Sequence, residues 1–201
     1  WMGDTMRCLG AVTRNKKIVI VNVQIYSVAL YVEASKCAKE LGIRQRGGFF
    51  ENDADFCQAV LDGAFHKVLI IRLVRDIDGP MFGDAIGKYL VPRMQLAGEI
   101  STLEKFTGLF ESKKLATGTE VVLLNNVAGE LQVLIAPSAA DSYAKAEPEL
   151  TLASVALSRG LFELFLGSEQ VVGGAHEAWA AGAKSLLESD NINREAWKSD
   201  V

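Results

Sequence analysis

The hydrophobic pattern at the start of the chain predicts β-structure. Residues 7–12 and 17–32 are rich in Val and Ile, and a polar stretch at 13–16 lies between them, which predicts two strands or one long bent ribbon. Side chains alternate between the two faces of a strand, so the even positions of the second run carry Gln24 and Tyr26, whereas its odd positions are almost wholly apolar. The odd face is therefore predicted to be core, and the even face to carry polar atoms.

The next part of the chain alternates between helical and strand patterns. Residues 34–41 and 53–61 are predicted to be short helices, and Asn52 or Asp53 can cap the second one. Residues 66–74 form a continuous apolar run, which predicts a strand buried on both faces or nearly so.

A longer helix is predicted to begin at Asp78-Gly79-Pro80. Asp78 can act as its cap, and Pro80 falls in the first turn, where its missing N–H costs nothing. Pro92 should end or kink this helix. Its apolar face has residues at three- and four-residue spacing, namely Phe82, Ala85, Ile86, Tyr89 and Leu90.

The second half of the chain returns to a strand pattern between helices. Its predicted elements are a helix at 101–110, a hairpin of strands at 119–124 and 130–135, a loose loop at 138–148, helices at 152–165 and 175–187, and a loose tail at 191–201. Strands and helical pairs alternate irregularly, so the predicted fold class is α+β with a largely antiparallel sheet, in one domain spanning residues 1–201.

Composition and charge restrict the classes of partner. The chain has 201 residues, of which 49% are hydrophobic and 23% charged, which is typical of a globular domain with a substantial core. A net charge of −4 argues against a nucleic-acid or anionic-membrane partner. We see no signal peptide and no apolar run long enough to span a bilayer, so we expect no membrane insertion; a removed targeting segment stays open.

Motifs for metal, nucleotide or triad chemistry are missing. His66 and His176 have no partners at a recognisable spacing, and the glycine pairs lack the context of a phosphate-binding loop, so neither a metal nor a cofactor is predicted. Cys8, Cys37 and Cys57 lack C-x-x-C spacing and are predicted to be reduced, buried small hydrophobes.

One cation and one phenol stand out on the otherwise apolar strands. Arg14 needs an anionic or polar partner if it is buried, although a strand-end arginine in water is the alternative. Its even separation from Tyr26 places both on one face of an unbroken ribbon, and a bulge near residues 15–17 would reverse that parity.

The order of four motifs resembles the chalcone isomerase superfamily. These motifs are GAxxR at 10–14, the strand at 24–33, Gly79-Pro80 opening a helix, and FELFLG at 162–167. The resemblance implies an open-faced β-sandwich, in which helices cover a large antiparallel sheet and a ligand cleft lies between the two layers.

The resemblance also allows the catalytic positions to be compared. Arg14 matches the arginine with which the isomerases hold the reacting oxyanion, but Tyr26 stands where they have threonine. Phe82, Tyr89 and Leu164 stand where they have a tyrosine, an asparagine and another polar residue. Arginine followed by tyrosine is instead the pairing with which the plastid fatty-acid-binding relatives hold a carboxylate.

The resemblance therefore implies a fatty-acid-binding protein rather than an enzyme. The implied site has Arg14 and Tyr26 at its polar end and an apolar lining of Phe82, Tyr89, Leu164 and Phe165. The alternatives are an isomerase in which Tyr26 or Tyr89 supplies the lost donor, and an auxiliary protein that binds flavonoids or a partner enzyme without turnover. Family analogy places such a protein in the chloroplast stroma, and otherwise in the cytoplasm; a monomer is one option for an oligomeric state that stays open.

Overall fold

The computed structural model describes residues 5–18, 21–137, 147–168 and 171–199, apart from the side chains of residues 16–18, 21–23 and 191–199. Its strands are β1 (Met6–Ile18), β2 (Val21–Glu33), β3 (Lys67–Leu73), β4 (Ile77–Asp78), β5 (Lys114–Leu115), β6 (Glu120–Asn125), β7 (Glu130–Ala136) and β8 (Leu150–Ala153). Its helices are α1 (Ala34–Arg46), α2 (Asp53–Asp62), α3 (Gly79–Ala97), α4 (Ile100–Gly108), α5 (Val155–Leu166) and α6 (Ala175–Ser199).

A six-stranded antiparallel sheet is the central layer. Its strand order is β1-β2-β3-β6-β7-β8, and β4 pairs with β5 in a separate two-stranded sheet. Leu30, Leu69, Leu123 and Val133 lie opposite one another across four successive strands, and all four are fully buried. Because directly opposed residues share a face, this row marks the side of the sheet that packs against the helices. The predicted α+β class with an antiparallel sheet is confirmed.

The core face of β2 is the even face, not the odd face predicted from its polarity. Val28, Leu30 and Val32 are fully buried in the main core, whereas the odd residues Ser27 and Tyr31 are only half-buried. The polar residues of the even face lie toward the start of the strand, so the even face is apolar where the helices cover it and polar where they end. That arrangement places Tyr26 at the margin of the core.

One of the two sequence predictions separated two strands at the polar stretch 13–16. The first strand is not broken there. β1 runs through it, and two register shifts, between Cys8 and Gly10 and between Arg14 and Asn15, accommodate the change in pattern. Polar side chains are tolerated there because β1 is an edge strand and its residues 11–15 are half-buried or exposed. Residues 19 and 20, which link β1 to β2, lie outside the described residues.

The helix starts follow the predicted chemistry only in part. Asn52 caps α2 through a reciprocal capping box with Asp55, as expected. Asp78 occupies the N-cap position of α3, but its side chain makes no capping hydrogen bond; the first N–H, that of Gly79, donates to the backbone oxygen of Lys113 instead.

Pro92 does not end α3, contrary to one of the two effects predicted for it. The helix continues to Ala97, and Gly98, at φ 69°, ends it in the left-handed conformation. Pro92 lies on the solvent-exposed side, where water can take the place of the hydrogen bond that a proline cannot donate.

The second half differs from the sequence prediction at β8 and at α6. Residues 150–153 form β8, where the helix was predicted to begin at residue 152, and Ser154 then caps α5 by accepting a hydrogen bond from the Leu157 N–H. The helix α6 continues to Ser199, through most of the predicted loose tail, and residues 200–201 lie outside the described part. Most of the predicted loop at 138–148 is also outside it.

The cysteines are free, but they are not all buried. Cys37 of α1 and Cys57 of α2 face the core, where burial raises the pKa of each thiol to about 12 and keeps it protonated. Cys8 is exposed, contrary to the prediction, because it lies on the edge strand beside a register shift.

Helix α6 packs on β1 at unusually short range. A Cβ atom built on Gly182 would lie 1.7 Å from the backbone oxygen of Leu9, and one built on Gly10 would lie 3.2 Å from that of Ala178. Glycine is therefore required for the helix to approach the strand that holds Arg14.

We expect Gly182→Ala to lower the free energy of unfolding by about 1–3 kcal/mol, because the added methyl group forces α6 away from β1. Urea denaturation followed by circular dichroism measures this change. Gly108→Ala in α4 is the matched control: its Cβ would meet nothing within 4 Å, so helix propensity should make it neutral or slightly stabilising. Equal stabilities of the two variants would contradict the proposed packing constraint.

Candidate functional site

The register of the first hairpin brings Arg14 and Tyr26 together. They are direct partners across β1 and β2, and a register shift follows, between Arg14 and Asn15. Along the chain this shift lies between the two residues, and it sets them opposite each other: Asn15 pairs with Gln24, so without the shift Arg14 would pair with Ile25. Since directly opposed residues of an antiparallel pair project from the same face, the guanidinium and the phenol meet on the helix-covered side of the sheet.

The two side chains form a directional hydrogen bond. The Arg14 Nη1 donates to the Tyr26 hydroxyl at 3.3 Å, and the guanidinium carbon lies 5.8 Å from the centre of the phenol ring. Because the Tyr26 oxygen accepts from Arg14, its own hydrogen can be donated to a third group. The pair thus offers an anion several N–H donors and one O–H donor from one place.

Burial and charge oppose each other at this pair. Burial raises the pKa of Tyr26, and the Arg14 cation only partly offsets that rise, so the phenol stays protonated at neutral pH. Burial acts to lower the pKa of Arg14, but its interactions with Tyr26 and Tyr89 outweigh this effect, and the pKa is raised overall. At pH 7 the site holds one positive charge and a neutral hydroxyl donor.

A cleft of about 380 Å³ opens beside this pair, between the sheet and helices α3 and α5. All six residues singled out from the sequence line it: Arg14, Tyr26, Phe82, Tyr89, Leu164 and Phe165. The cleft is therefore polar at the β1–β2 end and apolar along its helical wall.

The helical wall is rigid on one side and open on the other. Phe82 is buried with its ring 5.0 Å from that of Phe110, and Phe165 is buried in the main core. Tyr89 is 48% exposed, so the cleft reaches solvent beside it. Its phenol also interacts electrostatically with Arg14, which places it near the polar end.

Sequence reasoning missed much of the lining. The further residues that line the cleft are Asn15, Ile25, Ile71, Ile77, Met81, Ala85, Ile86, Lys88 and Val171. The spacing of the sequence does indicate Ile86 as a lining residue, since it lies four residues after Phe82 on the same helix face. Ile71 and Val171 had none, because only the folded chain brings β3 and the segment after α5 to the same cleft. Lys88 is a second cation at the mouth, with its Nζ 5.0 Å from the centre of the Tyr89 ring.

The described residues offer neither a metal site nor a membrane-spanning helix. The described residues contain no group of three or more His, Cys, Asp or Glu side chains placed to hold a metal ion. Among those same residues, no helix has both the length and the apolar character that crossing a bilayer requires.

The fold, unlike the sequence, has a known counterpart. No protein-family model and no curated protein matches the chain. The crystal structure of the Arabidopsis thaliana fatty-acid binding protein AtFAP1 is similar to it with a TM-score of 0.74, 20% sequence identity and 92% of each chain covered. The chain has the chalcone isomerase-like fold. The architecture implied by the four sequence motifs is thus confirmed, and at this identity the likeness concerns the chalcone isomerase-like fold alone.

The opposing effects on Tyr26 predict its titration. We expect Tyr26 to ionise above the ordinary tyrosine value of about 10, and Arg14→Ala to move its pKa higher still, because the only neighbour found to lower it is removed. The contribution of Tyr26 to stability is then complete below pH about 10 and falls as the pH rises through the raised pKa. Phenolate absorbance measures the titration, with Tyr26→Phe subtracted to assign it. A pKa at or below 10 would contradict the assignment.

Proposed function

We propose that this protein binds a fatty acid as its carboxylate in the cleft between the sheet and the helices. The observation that carries the proposal is the Arg14–Tyr26 pair at one end of a cleft whose lining is otherwise mostly apolar. A ligand that matches both parts has one anionic end and a long apolar body.

The polar end fits a carboxylate by its donors. A carboxylate has two acceptor oxygens, and Arg14 retains N–H donors beyond the one given to Tyr26. The Tyr26 O–H can donate to the same group. A hydrogen bond to a charged group contributes about 1.5–3 kcal/mol net, and a neutral head group would leave the guanidinium without its counter-charge. The pair therefore selects the anionic end and orients the ligand.

The apolar wall provides most of the affinity. Each buried methylene is worth about 0.8 kcal/mol, so a dodecanoyl tail supplies on the order of 8 kcal/mol before the costs of association and ordering are subtracted. The cleft, at about 380 Å³, lies within the range of ordinary small-molecule sites. The AtFAP1 structure supports the proposal by analogy, because a protein of the same fold is described as a fatty-acid binding protein.

We propose binding without isomerisation. The resemblance to the chalcone isomerases implies that those enzymes have polar groups where this chain has Phe82 and Leu164. Donors that would stabilise a developing enolate are therefore lost at these two positions. One observation favours the isomerase alternative, namely the interaction of Tyr89 with Arg14, which could supply a replacement donor. Loss of chalcone absorbance well above the spontaneous rate would favour turnover.

A chloroplast location stays a prediction from family analogy.

Arg14→Ala should weaken binding of laurate or palmitate roughly 10- to 100-fold, and Tyr26→Phe should weaken it several-fold, because each removes a donor to the carboxylate. Titration calorimetry measures the affinities, and native mass spectrometry of the purified chain shows whether a fatty acid is already bound. Arg7→Ala and Tyr31→Phe are matched controls: Arg7 is exposed on the same strand as Arg14, and Tyr31 lies on the opposite face of β2 from Tyr26. The proposal fails if no fatty acid binds, or if the site variants and controls behave alike.

The affinity should also depend on ligand ionisation. Arg14 favours the carboxylate over the acid, so binding of laurate by the wild-type protein should weaken as the pH falls toward the carboxyl range of about 4. Arg14→Ala should flatten this dependence. The methyl ester of the same acid cannot ionise, so its affinity should not show this pH dependence in either protein. An equal pH dependence with and without Arg14 would show that the guanidinium does not contact the head group.

A further inference from the structure

The cleft holds more positive charge than one carboxylate neutralises. The described residues that line it include two cations, Arg14 and Lys88, and no Asp, Glu or His. The chain as a whole has a net charge of −4, so the cleft differs in sign from the molecule around it. A fatty acid with a single carboxylate that pairs with Arg14 leaves the second positive charge of the lining without a counter-charge from the ligand.

Tyr89 connects the two cations. The Lys88 Nζ lies 5.0 Å from the centre of the Tyr89 ring, and the Tyr89 phenol interacts with Arg14. Arg14 in turn donates a hydrogen bond to the Tyr26 hydroxyl. Cations and phenols therefore alternate along the polar end of the cleft, in the order Lys88, Tyr89, Arg14 and Tyr26. Lys88 thus belongs to the same end as the pair that receives the head group.

The carboxylates near Lys88 do not pair with it. Asp84, one helical turn earlier, is the only acidic residue of α3. It borders an adjoining hollow that Lys88 also borders, but it does not line the cleft. The other charged residues of that hollow are Asp78, Glu111, Lys113 and Lys114. None of the ion pairs in the described part of the chain includes Lys88.

The other cation of α3 is already neutralised. Arg93 forms an ion pair with Glu163 of α5 and does not line the cleft. Lys88 is therefore the cation of α3 that a ligand in the cleft can reach, and Asp84 is the nearest competitor for it along the helix.

We infer that Lys88 gives the cleft a second anion-binding position, so that the cleft prefers an amphiphile whose head group carries two negative charges. The inference rests on the proposed function, because the apolar tail and the contact with Arg14 are those of the proposed fatty-acid complex. A phosphate monoester of a long-chain alcohol has this chemistry. Its head group has three acceptor oxygens and a charge of about −1.5 to −2 at pH 7, so Arg14, Tyr26 and Lys88 can donate to it together.

The ionisation of such a ligand separates the effect of charge from that of shape. The second proton of a phosphate monoester is lost with a pKa of about 6, so its head group changes from one negative charge to two between pH 5 and pH 8. The described lining of the cleft contains no His, Cys, Asp or Glu, whose ordinary pKa values lie nearest this range. Over this interval the ligand is therefore the group that titrates in the cleft.

Dodecyl phosphate and laurate test the inference, because they have tails of equal length and different head groups. Titration calorimetry measures their affinities below the concentration at which they form micelles. At pH 8 we expect dodecyl phosphate to bind the wild-type protein about three- to tenfold more tightly than laurate, and its affinity to fall by a similar factor at pH 5. Lys88→Gln should lose most of this pH response and should weaken dodecyl phosphate more than laurate.

Two controls isolate the site. Lys39→Gln removes the same charge from an exposed position of α1 outside the cleft, and it should keep the pH response of the wild type. Inorganic phosphate has the charge without the tail, and it should bind far more weakly than dodecyl phosphate, because the tail provides most of the affinity.

The inference is overturned if dodecyl phosphate and laurate bind equally at pH 8, or if Lys88→Gln responds to pH like the wild type. Equal affinities for inorganic phosphate and dodecyl phosphate would also overturn it, since the anion would then bind without the cleft. Laurate binding that depends on Arg14, without any advantage for the phosphate, would refute the inference and leave the proposed function intact. Binding of dodecyl phosphate through Lys88 without binding of laurate would refute the proposed fatty-acid function and leave the second anion position intact.

Discussion

The register between β1 and β2 is the constraint on which the site depends. A slip of one residue would turn every side chain of β1 to the other face of the sheet, and Arg14 would leave the cleft. Three features fix that register: the buried even face of β2, the ladder with β3, and the close contact of Gly182 with Leu9, which holds β1 under α6. The position of Arg14 opposite Tyr26 is therefore specified largely by packing along the rest of β1 and β2.

Helix α3 connects the site to the rest of the protein because it has three different faces. Its glycine face lies against α4, its Phe82 face lines the cleft, and its third face, with Met81 and Leu96, is exposed to solvent. Since the helix cannot move toward α4 without backbone clashes, the width of the cleft is fixed on that side. The width of the cleft on that side is thus set by backbone packing rather than by side chains that can rearrange.

The sequence predicted correctly those features that depend on residues close together in the chain. The capping box at Asn52, the β6–β7 hairpin and the cleft side of α3 all depend on residues close in sequence, and the structure has them as expected. Pro92 does not end α3 because solvent compensates for its missing donor. The core face of β2 was predicted wrongly because the helices cover only part of that strand. The six predicted residues do meet in one cleft. Ile71 and Val171 were missed because only long-range packing brings them there.

The strand β2 pairs with β3 only from Tyr26 onward, whereas its pairing with β1 continues to Val21. The Arg14–Tyr26 pair thus lies at the boundary between a six-stranded sheet and a two-stranded arm. A two-stranded ribbon bends far more easily than a sheet with a packed core. In the proposed complex, the head group would therefore have the six-stranded sheet on one side and the two-stranded arm on the other.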